Sequence, residues 1–193
     1  FASRPPETEL DHTIPKYNAN PGDMKTPHRI CDAVLEHWAD VGLCFAGDGD
    51  RCGVVDNTGE EIFADKVGVM LARDMSAIHK AAYFVVDVKS TGLFVTDPVL
   101  QKQGVKTTYW KTGHSYMKRR TNELGALAGF EKSGHFFFNK PFGRGYDDGL
   151  LSAIAICVML DRAADKSSAE IKDSLPTTWR SPTIAPHFDD QPH

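Results

Sequence analysis

Residues 42–56 read GLCFAGDGDRCGVVD, two short apolar runs separated by an acidic, glycine-rich segment. The first run has the length and composition of a buried strand, and the second leads through the turn sequence DNTGE to Ile62 and Phe63. The pattern predicts a hairpin with the loop AGDGDR at the end of a buried strand. Ligand sites of α/β sheets usually lie at such strand ends.

Outward from this hairpin, helical and extended patterns alternate along the chain. Upstream, the segment 28–40 places Ile30, Val34, Leu35 and Trp38 at helical spacing. Downstream, the patterns predict helices near 64–78, 97–103 and 148–163, and strands near 83–88, 106–110, 126–130 and 136–138. This alternation favours an α/β fold with helices against sheets.

The same patterns divide the chain. We predict two adjacent α/β units, over 1–80 and 81–175, with the boundary near residues 79–83. Residues 176–193 have four prolines and little apolar patterning, which predicts a linker or tail. The first two dozen residues have no hydrophobic periodicity and the chain begins at Phe1, so we expect the natural start to lie elsewhere.

Composition excludes several classes of protein. The 193 residues are 41% hydrophobic, and a net charge of −4 argues against non-specific binding to nucleic acid or membrane, which requires a basic face. No apolar run is long enough to span a bilayer. The four cysteines, Cys31, Cys44, Cys52 and Cys157, form no CxxC pair, so reduced thiols in a cytoplasmic protein are expected.

The loop 47–51 is a candidate metal site. Asp48 and Asp50 stand two apart between glycines, and carboxylate oxygens of this kind suit Mg²⁺. Arg51 adds a bidentate phosphate donor. The alternative is a solvated acidic turn. A calcium loop is excluded, because counting from Asp48 puts Cys52 at the fifth position and Gly59 at the twelfth.

Three further segments with polar side chains follow predicted strands. Lys89 lies in DVKSTG, Lys111 and His114 lie in WKTGH, and the loop 131–135 reads EKSGH. Cations and an imidazole suit a phosphorylated ligand, and the carboxylate and hydroxyl of Glu131 and Ser133 suit a polyol. Each segment alone is more often a solvated turn, so the prediction depends on their facing one cleft.

Taken in order, the segments GLCFAGDGDRCGVVD, DVKSTG, WKTGHS, FEKSGHFFF and GYDDG resemble the two central domains of the α-D-phosphohexomutase family. The resemblance implies two adjacent mixed-sheet α/β domains, the first incomplete. It also implies an enzyme that interconverts hexose 1-phosphates and 6-phosphates through a bisphosphorylated sugar, using a phosphoserine from another domain and Mg²⁺. The remaining domains of such an enzyme would be partners, and the oligomeric state stays open.

The resemblance also implies roles for single residues. Asp48 and Asp50 would be metal ligands, and Arg51 would close the metal loop beside the phosphate. Lys89 and His114 would face the same cleft, with Lys89 assisting proton transfer or stabilising charge. The sugar hydroxyls would be bound by Glu131 and Ser133, with His135 near the transferring phosphoryl group. The segment 146–149 would begin a helix that Asp147 or Asp148 caps.

Three departures from the family pattern bear on function. The family's metal loop reads DGDGDR, whereas Ala46 occupies the first acidic position here, which should weaken Mg²⁺ binding. The serine segment, the phosphate loop of the last domain and the early strands of the second domain are not found in this chain. Phe130 stands where many members have Gly.

These departures leave several hypotheses. The first is a part of a phosphomannomutase/phosphoglucomutase, inactive by itself. The nearest alternative is a phosphoglucosamine mutase, whose loops are similar. A non-catalytic sugar-phosphate binding module is favoured by Ala46, and a purely structural domain leaves the ordered motifs unexplained.

Overall fold

The computed structural model describes residues 25–179 of the chain. In order, its elements are α1 (Lys25–His37), β1 (Val41–Phe45), β2 (Cys52–Asp56), β3 (Glu61–Ile62), α2 (Ala64–Ile78), β4 (Tyr83–Asp87), α3 (Leu93–Thr96), α4 (Pro98–Lys102), β5 (Lys106–Trp110), α5 (His114–Glu123), β6 (Ala128–Phe130), β7 (Phe136–Phe138), α6 (Gly149–Arg162) and α7 (Ser168–Asp173). This mixed arrangement confirms the predicted α/β class. None of the described helices combines the length and apolar character needed to cross a membrane.

The first sheet is the predicted hairpin with one short added strand, in the order β1-β2-β3. β1 and β2 pair antiparallel, from Val41 opposite Asp56 to Phe45 opposite Cys52. Helix α1 covers one face so closely that a Cβ on Gly42 would lie 2.7 Å from a methyl group of Val34. The hairpin prediction is therefore confirmed, and its loop lies at the end of β1.

The apolar face predicted for α1 is only partly buried. Val34 is buried, as expected, but Leu35 is 54% and Trp38 is 92% exposed. Trp38 has a φ of 52° and lies beyond the end of the helix, so its side chain leaves the helical face. The prediction that Trp38 lies on this face was wrong, because periodicity does not show where a helix ends.

The second sheet has the order β5-β4-β6-β7. β4 runs parallel to both β5 and β6, and β7 returns antiparallel to β6. The carboxyl ends of the three parallel strands therefore meet at one edge of the sheet. The segments carrying Lys89, Lys111 and the loop 131–135 all begin at this edge.

Helix α2 packs against this sheet through a cluster of aromatic side chains. Phe130 is fully buried, with its ring centroid 5.6 Å from that of Phe94 and 5.2 Å from that of Phe136. A Cβ on Gly68 of α2 would lie 2.9 Å from Phe94 and 3.2 Å from Phe130. Gly68 therefore provides the space that the bulky Phe130 occupies.

The larger of two hydrophobic core clusters joins the two sheets. It contains Val54 and Ile62 from the first sheet, Phe84 and Phe130 from the second, and residues of α2 and α6. Helix α2 precedes the predicted boundary near residue 80 and contacts elements on both sides of it. The division of the chain into 1–80 and 81–175 stays a prediction.

Helix α7 returns to the turn between β2 and β3. Ser168 accepts a hydrogen bond from the Asn57 backbone N–H at 2.9 Å and donates one to the Asp40 carbonyl at 2.6 Å. Lys172 Nζ lies 2.5 Å from Asp56 and 2.7 Å from Glu60. The pKa of Asp56 is lowered, because hydrogen bonds from Lys172 and from the turn outweigh the effect of burial.

Candidate functional site

The loop 46–51 after β1 is attached to the beginning of helix α6. The Gly149 N–H donates to the Gly49 carbonyl at 2.9 Å. A Cβ at position 149 would lie 2.7 Å from the carbonyl oxygens of Gly49 and Arg51. Gly49 has a φ of 76°, which glycine adopts without strain. The loop 46–51, which we call the metal loop after the family pattern it resembles, therefore has a defined position, and its first residue, Ala46, is buried.

The loop 131–135 reaches across to this metal loop. Residues 51 and 135 form an isolated antiparallel bridge. The side chains of the same region meet, with His135 Nε2 at 3.1 Å from Asp50 Oδ2. His135 Nδ1 lies 2.8 Å from Ser133 Oγ and 3.2 Å from Glu131 Oε2. The two predicted loops are thus joined through one imidazole.

Glu131 is a buried carboxylate whose two oxygens both have partners. Oε1 accepts from the Gly113 N–H at 2.7 Å, and Oε2 accepts from Ser133 Oγ at 3.2 Å. Burial alone would raise the Glu131 pKa, but hydrogen bonds from His135, Gly113 and Ser133 lower it. Burial alone would lower the His135 pKa, but the acidic groups Glu131, Asp50 and Asp147 outweigh burial and raise the pKa.

Asp147 completes a cluster with these side chains. Its carboxylate, Asp50 and His135 offer ligand atoms that all lie within 4.8 Å of one another. His114 Nδ1 lies 3.7 Å from Asp147 Oδ2, and the His114 and His135 ring centroids are 6.1 Å apart. The neighbouring Asp148 caps α6 by accepting from the Leu151 N–H at 2.9 Å. Of the two caps that the sequence allowed, Asp148 is the one formed.

Asp87, at the end of β4, holds three of the strand-end segments together. Its side chain is buried and accepts from Ser90 Oγ at 2.5 Å, Thr112 Oγ1 at 3.0 Å and the Lys132 N–H at 3.2 Å. These donors come from the segments after β4, β5 and β6. Sequence reasoning missed Asp87, although an acidic residue closing an apolar strand is a detectable signal.

The predicted site residues divide into two groups. Asp50, Glu131, Ser133 and His135 form one connected hydrogen-bonded group, and Arg51 Nε lies 3.4 Å from Asp50 Oδ1 at its border. His114 lies beside this group across Asp147.

Asp48 and Lys89 are exposed and lie outside this hydrogen-bonded group. Lys111 Nζ lies 3.7 Å from the centroid of the Tyr116 ring. A charged and polar set of side chains of this composition can bind an anionic, hydroxyl-rich ligand.

Comparison with known proteins gives a consistent family. Residues 63–179 match the family model described as phosphoglucomutase/phosphomannomutase, alpha/beta/alpha domain III. The chain is 33% identical over 176 residues to a phosphomannomutase/phosphoglucomutase of Pseudomonas putida, covering 91% of this chain and 37% of that relative. It is 34% identical over 131 residues to a phosphoglucosamine mutase of Syntrophomonas wolfei, covering 68% of this chain and 29% of that relative.

A solved structure supports the same fold. The crystal structure of a phosphoglucomutase/phosphomannomutase family protein from Burkholderia thailandensis superimposes with a TM-score of 0.81 at 31% sequence identity. The match covers 90% of this chain and 37% of the other. This chain therefore spans little more than a third of the length of the proteins it resembles.

Proposed function

Because the chain belongs to the α-D-phosphohexomutase family, we propose that it provides the metal loop (46–51) and the sugar loop (131–135) of an enzyme interconverting hexose 1-phosphates and hexose 6-phosphates. The family members it resembles are isomerases that transfer a phosphoryl group within a sugar phosphate. The observation that best supports this proposal is the contact between Asp50 and His135, which joins the two loops.

Mg²⁺ is the proposed cofactor, and the donors present fit it. Asp48 and Asp50 offer carboxylate oxygens on a loop of glycines, and Mg²⁺ prefers a few carboxylates with retained waters. These two residues would hold the ion, which would supply electrostatic stabilisation of phosphoryl transfer. Since Ala46 removes one carboxylate of the family pattern, we expect weaker binding than in members with DGDGDR.

The chain's own side chains would bind and orient the sugar phosphate. Arg51 and Lys89 would neutralise phosphate charge, because guanidinium and ammonium groups donate to its oxygens. Glu131 and Ser133 would bind sugar hydroxyls. A proton held on His114 or His135 would be available to a phosphate oxygen, and the acidic groups around His135 raise its pKa.

Turnover requires more than these residues. The phosphoserine that gives and takes the phosphoryl group would come from a domain that this chain does not provide, so we propose that the 193 residues alone bind substrate without turning it over. The four free thiols support a cytoplasmic location for the enzyme.

A phosphoglucosamine mutase is the second candidate, favoured by the 34% identity to the Syntrophomonas wolfei protein. The two candidates differ at the second carbon of the sugar. Turnover of glucose 1-phosphate and of glucosamine 6-phosphate by the product of the complete reading frame, with each bisphosphate as activator, separates them. Binding without turnover of either substrate would favour a non-catalytic sugar-phosphate binding module.

Substrate binding is tested on the chain itself. Isothermal titration with glucose 1,6-bisphosphate should give saturable binding, and glucose without phosphate should bind far more weakly. Glu131→Gln should weaken bisphosphate binding roughly 10-fold or more, because a charged acceptor is lost. The matched control is Glu123→Gln on the exposed face of α5. Equal affinity for glucose and its bisphosphate would reject the proposal.

A further inference from the structure

We propose that Asp50, His114, His135 and Asp147 form a binding site for a divalent transition-metal ion of the Zn²⁺ type. The set contains two imidazoles and two carboxylates, a ligand combination that suits Zn²⁺ and Co²⁺ and that Mg²⁺ avoids. It differs from the Asp48 and Asp50 pair proposed for Mg²⁺ and shares only Asp50 with it. The inference does not depend on the mutase function, because it concerns metal binding by the chain itself.

Small side-chain rotations would bring the ligand atoms of the cluster to the spacing of a four-coordinate ion. Zn–N and Zn–O bonds of about 2.0–2.2 Å place tetrahedral ligand atoms about 3.3–3.6 Å apart. His135 Nε2 and Asp50 Oδ2 are 3.1 Å apart, and His114 Nδ1 and Asp147 Oδ2 are 3.7 Å apart. Ligand atoms of Asp50, His135 and Asp147 lie within 4.8 Å of one another. His114 is exposed, so its ring can rotate to complete the set.

Hydrogen bonds behind His135 orient it as a ligand. Its Nδ1 atom lies 2.8 Å from Ser133 Oγ and 3.2 Å from the buried carboxylate of Glu131, so Nε2 is the nitrogen that faces Asp50. A carboxylate behind the non-coordinating nitrogen is the usual arrangement of zinc-bound histidines. Glu131 is in turn fixed by the Gly113 N–H at 2.7 Å. This support is independent of the cluster itself.

The ligands come from separate segments that the fold holds in place. Asp50 lies in the metal loop, which the hydrogen bond from Gly149 to Gly49 attaches to α6. Asp147 pairs through its backbone with Phe137 and lies just before the capped start of α6. A bound ion would therefore connect the metal loop, the sugar loop, α5 and α6. Because Asp50 is shared, a Zn²⁺ ion here would compete with Mg²⁺.

The test is titration of the metal-free chain with Co²⁺, followed by its visible absorption, and with Zn²⁺ by calorimetry. We expect one tight ion per chain. His135→Gln and Asp147→Asn should each weaken binding roughly 100-fold, and Glu131→Gln about 10- to 100-fold through loss of orientation. His37→Gln, on the exposed end of α1, and Asp48→Asn should leave the tight site unchanged.

The controls separate the outcomes. Far-UV circular dichroism in EDTA checks that each variant folds, and His114→Gln replaces Asp147→Asn if the latter does not fold, since His114 is exposed. The proposal would be overturned if the Zn²⁺ affinity of His135→Gln stays within threefold of the wild-type affinity. It would also be overturned if His37→Gln loses as much Zn²⁺ affinity as His135→Gln. Titration of glucose 1,6-bisphosphate in EDTA tests the sugar-phosphate site separately, so failure of one proposal is distinguishable from failure of the other.

Discussion

Replacing Gly149 with Ala tests the contact between the metal loop and helix α6. The added Cβ would lie 2.7 Å from two carbonyl oxygens and 3.0 Å from the carbonyl carbon of Arg51. All three atoms belong to the backbone, so no side chain can rotate away. The loop and the helix must separate, which lengthens the 2.9 Å hydrogen bond from the Gly149 N–H to the Gly49 carbonyl.

The magnitude follows from three contributions. Overpacking costs about 1–3 kcal/mol, and loss of the hydrogen bond costs about 0.5–1.5 kcal/mol. The helix propensity of Ala returns up to about 1 kcal/mol. The free energy of unfolding should therefore fall by about 2 kcal/mol, which lowers the melting temperature by about 4–8 °C in a chain of this length.

Urea denaturation followed by circular dichroism measures this change. Gly92→Ala is the matched control, because Gly92 has a φ of −64° and nothing lies within 4 Å of its Cβ position. Ala at this position lowers the entropy of the unfolded chain, which stabilises the protein, but it is a poorer N-cap than Gly, which destabilises it. The two effects offset each other, so the free energy of unfolding of Gly92→Ala should hardly change. If the free energy of unfolding of Gly149→Ala lies within about 0.5 kcal/mol of the wild-type value, the close packing of loop and helix is refuted.

Three further predictions concern single carboxylates. Asp87→Asn should lower the free energy of unfolding by about 1–3 kcal/mol and weaken sugar-phosphate binding, because the carboxylate that accepts hydrogen bonds from three loops loses one acceptor oxygen. Wild-type stability in urea denaturation and wild-type affinity in calorimetry would contradict this prediction. Burial alone would raise the Asp97 pKa, but hydrogen bonds from Arg73 and from backbone amides of α4 outweigh it and lower the pKa. The stability that the ionised Asp97 contributes is therefore present above the usual carboxyl pKa and is lost as pH falls through the lower folded value. Asp97→Asn should therefore flatten the acid limb of stability measured by urea denaturation between about pH 5 and pH 2. Ala46→Asp should tighten Mg²⁺ binding at least ~10-fold in calorimetry, because it adds a carboxylate to the loop. Unchanged Mg²⁺ affinity would contradict the proposal that this loop provides oxygen ligands to the ion.

Much of the fold follows from hydrophobic periodicity. The predicted helix 64–78 is observed as Ala64–Ile78, because its apolar side chains face the core at helical spacing. The predicted strand 106–110 is observed as Lys106–Trp110, although none of its five residues is buried, because β-branched and aromatic residues favour a strand. Helix α5 (His114–Glu123) was not predicted, since only Met117 and Thr121 of its ten residues are buried. Tertiary packing of those two side chains, rather than an apolar stripe, holds it against the sheet.

The candidate site was predictable in its loops but not in its pairings. Asp50 and His135 are 85 residues apart, and only the arrangement of two sheets around one core brings them together. Asp147 and Asp148 are adjacent and chemically identical, so periodicity could not assign one to the cap and the other to the cluster. The partners of Asp87 are two hydroxyls and a backbone N–H, which carry no sequence signature, so its role in joining the three loops could not be predicted.

The docking of helix α7 has a consequence for synthesis on the ribosome. Asp56 and Lys172 are 116 residues apart, and Asn57 and Ser168 are 111 apart. At roughly 5–20 residues per second, the turn between β2 and β3 emerges about 6–23 seconds before the helix that neutralises its buried carboxylate. During that interval the hairpin is a nascent structure without its ion pair, exposed to chaperones and proteases, and its final contacts form only once α7 has left the exit tunnel.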